Sequence, residues 1–276
     1  MKKETKPYFY AGQKQTEFCS TVKAGNLVWA SGMSGRLPKT GQVGTPDPAQ
    51  QVRDALDKIK HNLEEAGTSL DNVVKWNWYI KDTCRDRTAI EQAIVDYLIK
   101  NSPALAEDMP AAVWVGVREL YYPNMLIELG DITAIMPNTE KIKTYPYLYA
   151  GKKQAEFCST KIVGNLVWAA GMSGRLPKTG QVGTPDPGQQ VRDALDKIKH
   201  NLEEAGTSLE NIVRMNIYVK DTNRDREQLE AAWGDYLKKN APDLLENPPA
   251  ATWVGVRELY YPNMLVEFEA MALLPD

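Results

Sequence analysis

The sequence predicts an α+β fold built twice in tandem, and three observations predict it. Residues 8–134 line up with residues 147–273 without a gap, Tyr8 meeting Tyr147 (147 − 8 = 139) and Glu128 meeting Glu267. Each copy, at about 130 residues, has the size of a domain with its own core. Within each copy, stretches that alternate apolar and polar residues are interleaved with stretches whose apolar residues recur at helical spacing. Two modules of one fold are therefore expected, over residues 1–138 and 139–276. The junction MPNTEKIKTYPY, residues 136–147, reads as a short linker because prolines, an asparagine and charges interrupt the apolar pattern.

Residues 17–22 and 26–31 are expected to be strands of a hairpin that turns at residues 23–25, and SGRLPKTG is expected to be a loop. Asp47 before Pro48 reads as an N-cap with proline in the first turn of a helix, and Gly67 reads as its terminator. Between them Val52, Ala55, Leu56, Ile59, Leu63 and Ala66 form the buried stripe. NVVKWNWYIK then alternates, placing Val74, Trp76, Trp78 and Ile80 on one face of a strand. A second helix is expected over 86–100, followed by strands in AAVWVGV and NMLIELGDITAI. Each copy reads β-β-α-β-α-β-β, a mainly antiparallel sheet with two helices on one face. The other sheet face also carries apolar groups and is expected to pack on another module.

Composition narrows the function classes. The chain is 43% hydrophobic and 25% charged, with a net charge of −3, and Lys and Arg are interleaved with Asp and Glu. No basic stripe suited to nucleic acid results. The start MKKETKPYFYAG lacks an apolar h-region, and no apolar run approaches the ~20 residues that span a bilayer. A cytoplasmic protein without nucleic-acid or membrane partners is expected. Cys19, Cys84 and Cys158 have no metal-like spacing, which argues against disulfides and zinc alike. His61 and His200 lie off the helical stripe and are expected in solvent, so no Ser-His or Cys-His mechanism is expected. With no ligand cluster, P-loop or dinucleotide fingerprint, neither metal nor organic cofactor is implied.

The order VKAGNLVWASG, PKTGQVG, QVRDALDKIKHNLEEAGTSLDNVVKWNWYIKD and MPAAVWVGVREL with MLIELGDITAI resembles the RidA/YjgF family along both copies. The SG-x-S-x-R pattern of residues 31–36 resembles the family's aminomuconate-deaminase branch. The resemblance implies a chorismate-mutase-like fold, imine or enamine deamination of a small-molecule substrate, and a trimer. It implies a water-positioning glutamate at Glu128 and Glu267, and ligand contacts at Ser31, Gly32 and Gly171. The family's active-site tyrosine falls on Phe18 and Phe157, and its carboxylate-gripping arginine falls on Ala112 and Ala251. A small residue near that arginine becomes Trp114 and Trp253, and an asparagine opening the second helix becomes Glu91 and Glu230.

A carboxylate beside apolar walls suits a general base, because desolvation raises its pKa towards neutrality. Arg36 and Arg175, or Arg118 and Arg257, are the candidate replacement anion binders, although an arginine beside a glutamate, as in Arg118-Glu119, is commonly a surface pair. Residues 121–124, Tyr-Tyr-Pro-Asn, are a candidate pocket lid or subunit edge. Glu269, with Gly130 opposite, reads as structural. Ser31 becomes Ala170 in an otherwise copied stretch, and Trp76 and Trp78 become Met215 and Ile217. From these changes the two pockets are expected to differ, with ring volume lost from a face packed on a neighbouring module. The expectation is a hydrolase acting on a C–N bond of a small planar imine, enamine or cyclic amide through glutamate-activated water. The alternative is a non-catalytic small-molecule binder of the same fold. Ribonuclease activity gains nothing from this charge distribution.

Overall fold

The computed structural model describes residues 3–137, 139 and 142–275. The chain divides into two compact units, residues 1–140 and 141–276. Asn138, at the expected module boundary, lies outside the described residues.

Module 1 begins with strand β1 (Lys3–Tyr10), paired antiparallel with β2 (Gln13–Ala24). This strand is missing from the expected order, since a stretch with three charges and a proline does not alternate. Pro7 is tolerated because β1 is the sheet edge, where a missing N–H breaks no inner ladder. Ala11 and Gly12 make the tight turn, both with positive φ, as a two-residue hairpin demands. Then follow β3 (Leu27–Ala30), β4 (Met33–Ser34), α1 (Pro48–Glu65), β5 (Val73–Ile80), α2 (Thr83–Asn101), α3 (Pro103–Glu107), β6 (Ala111–Gly116) and β7 (Ile127–Ile135). Sheet order is β1-β2-β3-β7-β5-β6, with β4 also on β7. All pairs are antiparallel except β5 with β6, which are parallel and joined through the helices α2 and α3.

Module 2 repeats this with β8 (Ile142–Tyr149), β9 (Lys152–Val163), β10 (Leu166–Ser173), α4 (Pro187–Glu204), β11 (Ile212–Val219), α5 (Thr222–Asn240), α6 (Pro242–Glu246), β12 (Ala250–Gly255), a two-residue β13 (Glu258–Leu259) and β14 (Val266–Leu273). Its sheet runs β8-β9-β10-β14-β11-β12. Half of the expected linker is thus strand β8, because the TYPY segment finds a ladder partner in β9 that its proline and charges do not advertise.

The helix signals act locally as elementary chemistry requires. Asp47 accepts the Ala49 N–H at 3.0 Å, Pro48 occupies the first turn, and Gly67 takes φ +86° just beyond the end. The second helix starts at Thr83, earlier than expected, because Asp82 caps it through the Arg85 N–H at 2.9 Å. His61 and His200 are exposed, each beside a glutamate one turn on.

Two corrections concern how the copies correspond. Ile217 lies directly opposite Phe268, and Phe268 stacks at 5.6 Å on Trp233 of helix α5. Strand partners in register share a face, so Ile217 faces the helices, as does Trp78 opposite Leu129. Trp76 and Trp78 are fully buried in this helix-facing core, which overturns their assignment to a face packed on a neighbouring module. The bulk is redistributed within the core: Trp78 and Ile94 of one copy become Ile217 and Trp233 of the other.

The second correction is an insertion. Thr68 Oγ1 donates to the Ile135 carbonyl while Thr207 Oγ1 donates to the Leu273 carbonyl. The threonines are 139 apart (207 − 68) but their acceptors 138 (273 − 135). Met136 N and Leu274 N, bonded to the carbonyls of Asn26 and Asn165, repeat the change. One residue has been added in β7. It is Asp131, held at φ +50°, and the ungapped alignment of the sequence runs past it.

Candidate active site

Glu128 stands on β7 directly opposite Ser34 of β4 on one side and Tyr79 of β5 on the other. Its neighbour Leu129 faces the helices, so alternation turns Glu128 to the opposite sheet face. There it borders a cleft of about 360 Å³ lined by Tyr10, Phe18, Ser31, Gly32, Arg36 and Tyr122, among others. Gly32 lies close against the glutamate: a Cβ on it would stand 2.5 Å from Glu128 Oε1 and displace that carboxylate. Burial pushes the Glu128 carboxyl above its usual range, with Arg36 pulling the other way.

Arg36 is buried and held on three sides. Its Nε donates to the Gly41 carbonyl at 2.8 Å. Its guanidinium carbon lies 4.0 Å from the Tyr10 ring centre and 3.5 Å from that of Tyr122, so both flat faces carry a cation–π contact. Arg36 also lines the cleft that Glu128 borders. Burial raises the Tyr10 hydroxyl pKa, Arg36 again opposing. Tyr122 comes from the 121–124 loop, which Gln51 of α1 pins: its Nε2 donates to the Asn124 carbonyl at 2.9 Å, and its Oε1 accepts the Leu126 N–H at 2.8 Å.

Module 2 repeats the arginine clamp. Arg175 Nε donates to Gly180 at 2.9 Å, with ring centres of Tyr149 and Tyr261 at 3.9 and 3.7 Å. Burial pushes Tyr149 up to about 12, Arg175 opposing and the Glu267 charge adding to it. Phe157 stacks on Tyr147 at 5.7 Å. Gly171 lies in β10 beside Ala170, and Glu267 is buried on β14 opposite Ser173.

The structure therefore gathers Glu128, Arg36, Ser31, Gly32 and Phe18 around one cleft. The remaining candidates lie elsewhere. Trp114 stacks on Trp78 at 5.5 Å, and Trp253 meets Phe268 at 6.1 Å. Both point into the helix-facing layer, across the sheet from Glu128 and Glu267, because alternation leaves no other direction. Glu91 and Glu230 sit on α2 and α5, and Glu230 makes an exposed pair with Arg226 at 3.8 Å. Arg118 pairs with Glu119 at 3.8 Å on the surface, and Arg257 with Glu258 at 3.5 Å. Sequence reasoning missed Tyr10, which belongs to the unrecognised β1, and it missed Lys58 and Gln51, polar residues inside the helical stripe. Their signal was available: they fall at positions adjoining Ala55, Leu56 and Val52, where a solvated residue would not fit.

The Ser31 to Ala170 change coincides with a difference in strand geometry. In module 1 the strand breaks at Ser31 and Gly32, between β3 and β4. In module 2, β10 runs through with a register shift between Ala169 and Met172, opposite Glu269. Glu269 accepts from Asn216 at 2.5 Å and from Tyr218 at 3.1 Å. At the matching place Gly130 leaves room for the Tyr79 ring, 3.2 Å from where its Cβ would be.

Among the described residues no group of three or more His, Cys, Asp or Glu side chains is arranged to hold a metal ion. No helix there is long and apolar enough to cross a membrane.

The family model described as Endoribonuclease L-PSP matches residues 11–135 and again 150–274. The chain belongs to that family, as a tandem duplicate with the RidA/YjgF fold in each half. It is 34% identical over 110 residues to a RutC family protein of Pyrococcus abyssi, covering 40% of this chain and 80% of that one. It is 31% identical over 118 residues to the 3-aminoacrylate deaminase RutC of Acinetobacter baylyi, covering 43% and 86%. The solved YjgF gene product of E. coli aligns at 28% identity with a TM-score of 0.41, covering 48% of this chain and 98% of that one.

Proposed function

We propose that the chain is a hydrolase that deaminates a small planar imine or enamine, or opens a cyclic amide. In this reading each module, 1–138 and 139–276, contributes its glutamate, Glu128 or Glu267, as the base that activates water. For an imine, the glutamate takes a proton from water as its oxygen adds to the C=N carbon. The glutamate hands that proton to the nitrogen, giving the carbinolamine; it then moves the hydroxyl proton to the amine, and ammonia leaves as the carbonyl forms. The single observation that carries the reading is Glu128 itself, desolvated enough to hold a proton more tightly than a free carboxylate, with Arg36 facing the same cleft. Arg36 serves as the anion grip in place of the arginine absent at Ala112, with Phe18 and Tyr10 as walls. The name 3-aminoacrylate deaminase, carried by a relative, agrees with this class. Three chains supplying six modules form the proposed assembly, checked by light scattering.

Ammonia release from a panel of imines, enamines and nitrogen heterocycles tests the proposal, run beside the Glu128→Gln, Glu267→Gln double variant. Loss of about 10²-fold or more in the variant is expected, the range of general-base catalysis. Release that persists in the variant overturns it. The second reading, a non-catalytic binder, is favoured by Ala112 and Ala251. It predicts thermal shifts with ligands that both proteins share and no turnover by either.

A further inference from the structure

Lys58 is a buried charged residue that the proposed reaction leaves unused. It sits on α1 in line with the apolar stripe. Its Nζ donates to two backbone carbonyls, those of Ser34 and Arg36. These two residues are not arbitrary. Ser34 is the ladder partner of Glu128, and Arg36 carries the guanidinium clamped between Tyr10 and Tyr122. One ammonium group therefore ties the backbone beside the glutamate to the backbone beneath the arginine. Lys197 of α4 makes the same two bonds, to Ser173 and Arg175, and Ser173 is the partner of Glu267.

We infer that Lys58, and Lys197 in the second module, is a positioning residue that fixes the cleft arginine relative to the cleft glutamate. A buried ammonium is costly unless its donors are satisfied. Burial lowers the Lys58 pKa to about 8 and that of Lys197 to about 7, with Asp54 and Asp193 opposing and Arg36 and Arg175 adding to the lowering. An apolar side chain at this place on the stripe would avoid that cost and pack the helix equally well. What it could not supply is a pair of strong donors to a segment whose carbonyls face a helix instead of a strand. From β4 to the Arg36–Val43 bridge this segment has few ladder bonds of its own, and the lysine supplies the restraint.

The inference rests on the reading that the Arg36–Glu128 cleft is the reactive site, so its test includes a readout independent of turnover. The Arg36 Nε–H, bonded to Gly41, reports by nitrogen-15 NMR whether the clamp is held. In Lys58→Met its exchange with solvent is expected to speed up about tenfold or more, while the Arg175 Nε–H and the amides of α1 keep their protection. Lys58→Gln, which retains one donor, is expected to fall between and stands in if the methionine variant does not fold. Unchanged Arg36 exchange in a folded variant overturns the inference. Deamination is then measured on the same variants, with KM expected to rise more than kcat falls. A loosened arginine with unaltered kinetics leaves Lys58 as its anchor and instead removes Arg36 from the proposed reaction.

Discussion

Strands β7 and β14 began as copies of one segment, and their middles now differ more than their ends. At the middle of β7 stand Gly130 and the extra Asp131, with the Tyr79 ring in the space a side chain would occupy. At the middle of β14 stands a buried carboxylate, Glu269, bonded to Asn216 and Tyr218. Two residues towards the start, both strands carry the cleft glutamate in the same register with Ser34 or Ser173. Towards the other end both deliver a carbonyl to the corresponding threonine, Ile135 to Thr68 and Leu273 to Thr207. The lesson is that ladder partners and helix contacts hold the ends, whereas a strand crossing with room on one side tolerates both an insertion and a new charge.

The largest expected effect tests whether this difference reaches the chemistry. Glu128→Gln and Glu267→Gln, made separately, are expected to lower ammonia release unequally. Equal losses would show that the altered crossing two residues away leaves the pockets equivalent. Next comes the core. Trp78→Ala is expected to destabilise module 1 by about 3–5 kcal/mol in denaturant titration, as large core truncations do. Trp233→Ala, in a residue only partly buried, is expected to cost module 2 less, and the reverse order would break the account of exchanged bulk. The smallest effect is at the insertion. Asp131→Ala forces a side chain poorly suited to φ +50° and removes the Asn77 bond at 3.2 Å, so a loss of about 1–2 kcal/mol is expected by the same titration.

Much of the fold was legible because its signals are local. Asp47, Pro48 and Gly67 mark a helix through bonds and dihedrals that involve near neighbours alone. β1 was not legible, since Lys3 to Lys6 become strand only by pairing with β2, and pairing is not a property of the segment. Of the site, Glu128, Ser31, Gly32, Arg36 and Phe18 were found through the family resemblance and the repeated loop. Trp114 and Glu91 were misplaced because alignment assigns a column and not the face of the sheet. Lys58 escaped because a charged residue in a helix is ordinarily solvent's, and only the carbonyls of Ser34 and Arg36, more than twenty positions away, make it otherwise.

Asp131 also bears on the history the two halves can now have. Any other difference between the copies is a change of letter, which a substitution can undo. A difference of length is of another kind. No substitution restores it, yet the strand absorbs it locally: Ile135 still reaches its threonine and Met136 still reaches Asn26, as Leu273 and Leu274 reach their partners in the other copy. One inserted residue thus marks the two halves as different at the strand that bears the glutamate, in a way that no change of letter can reverse.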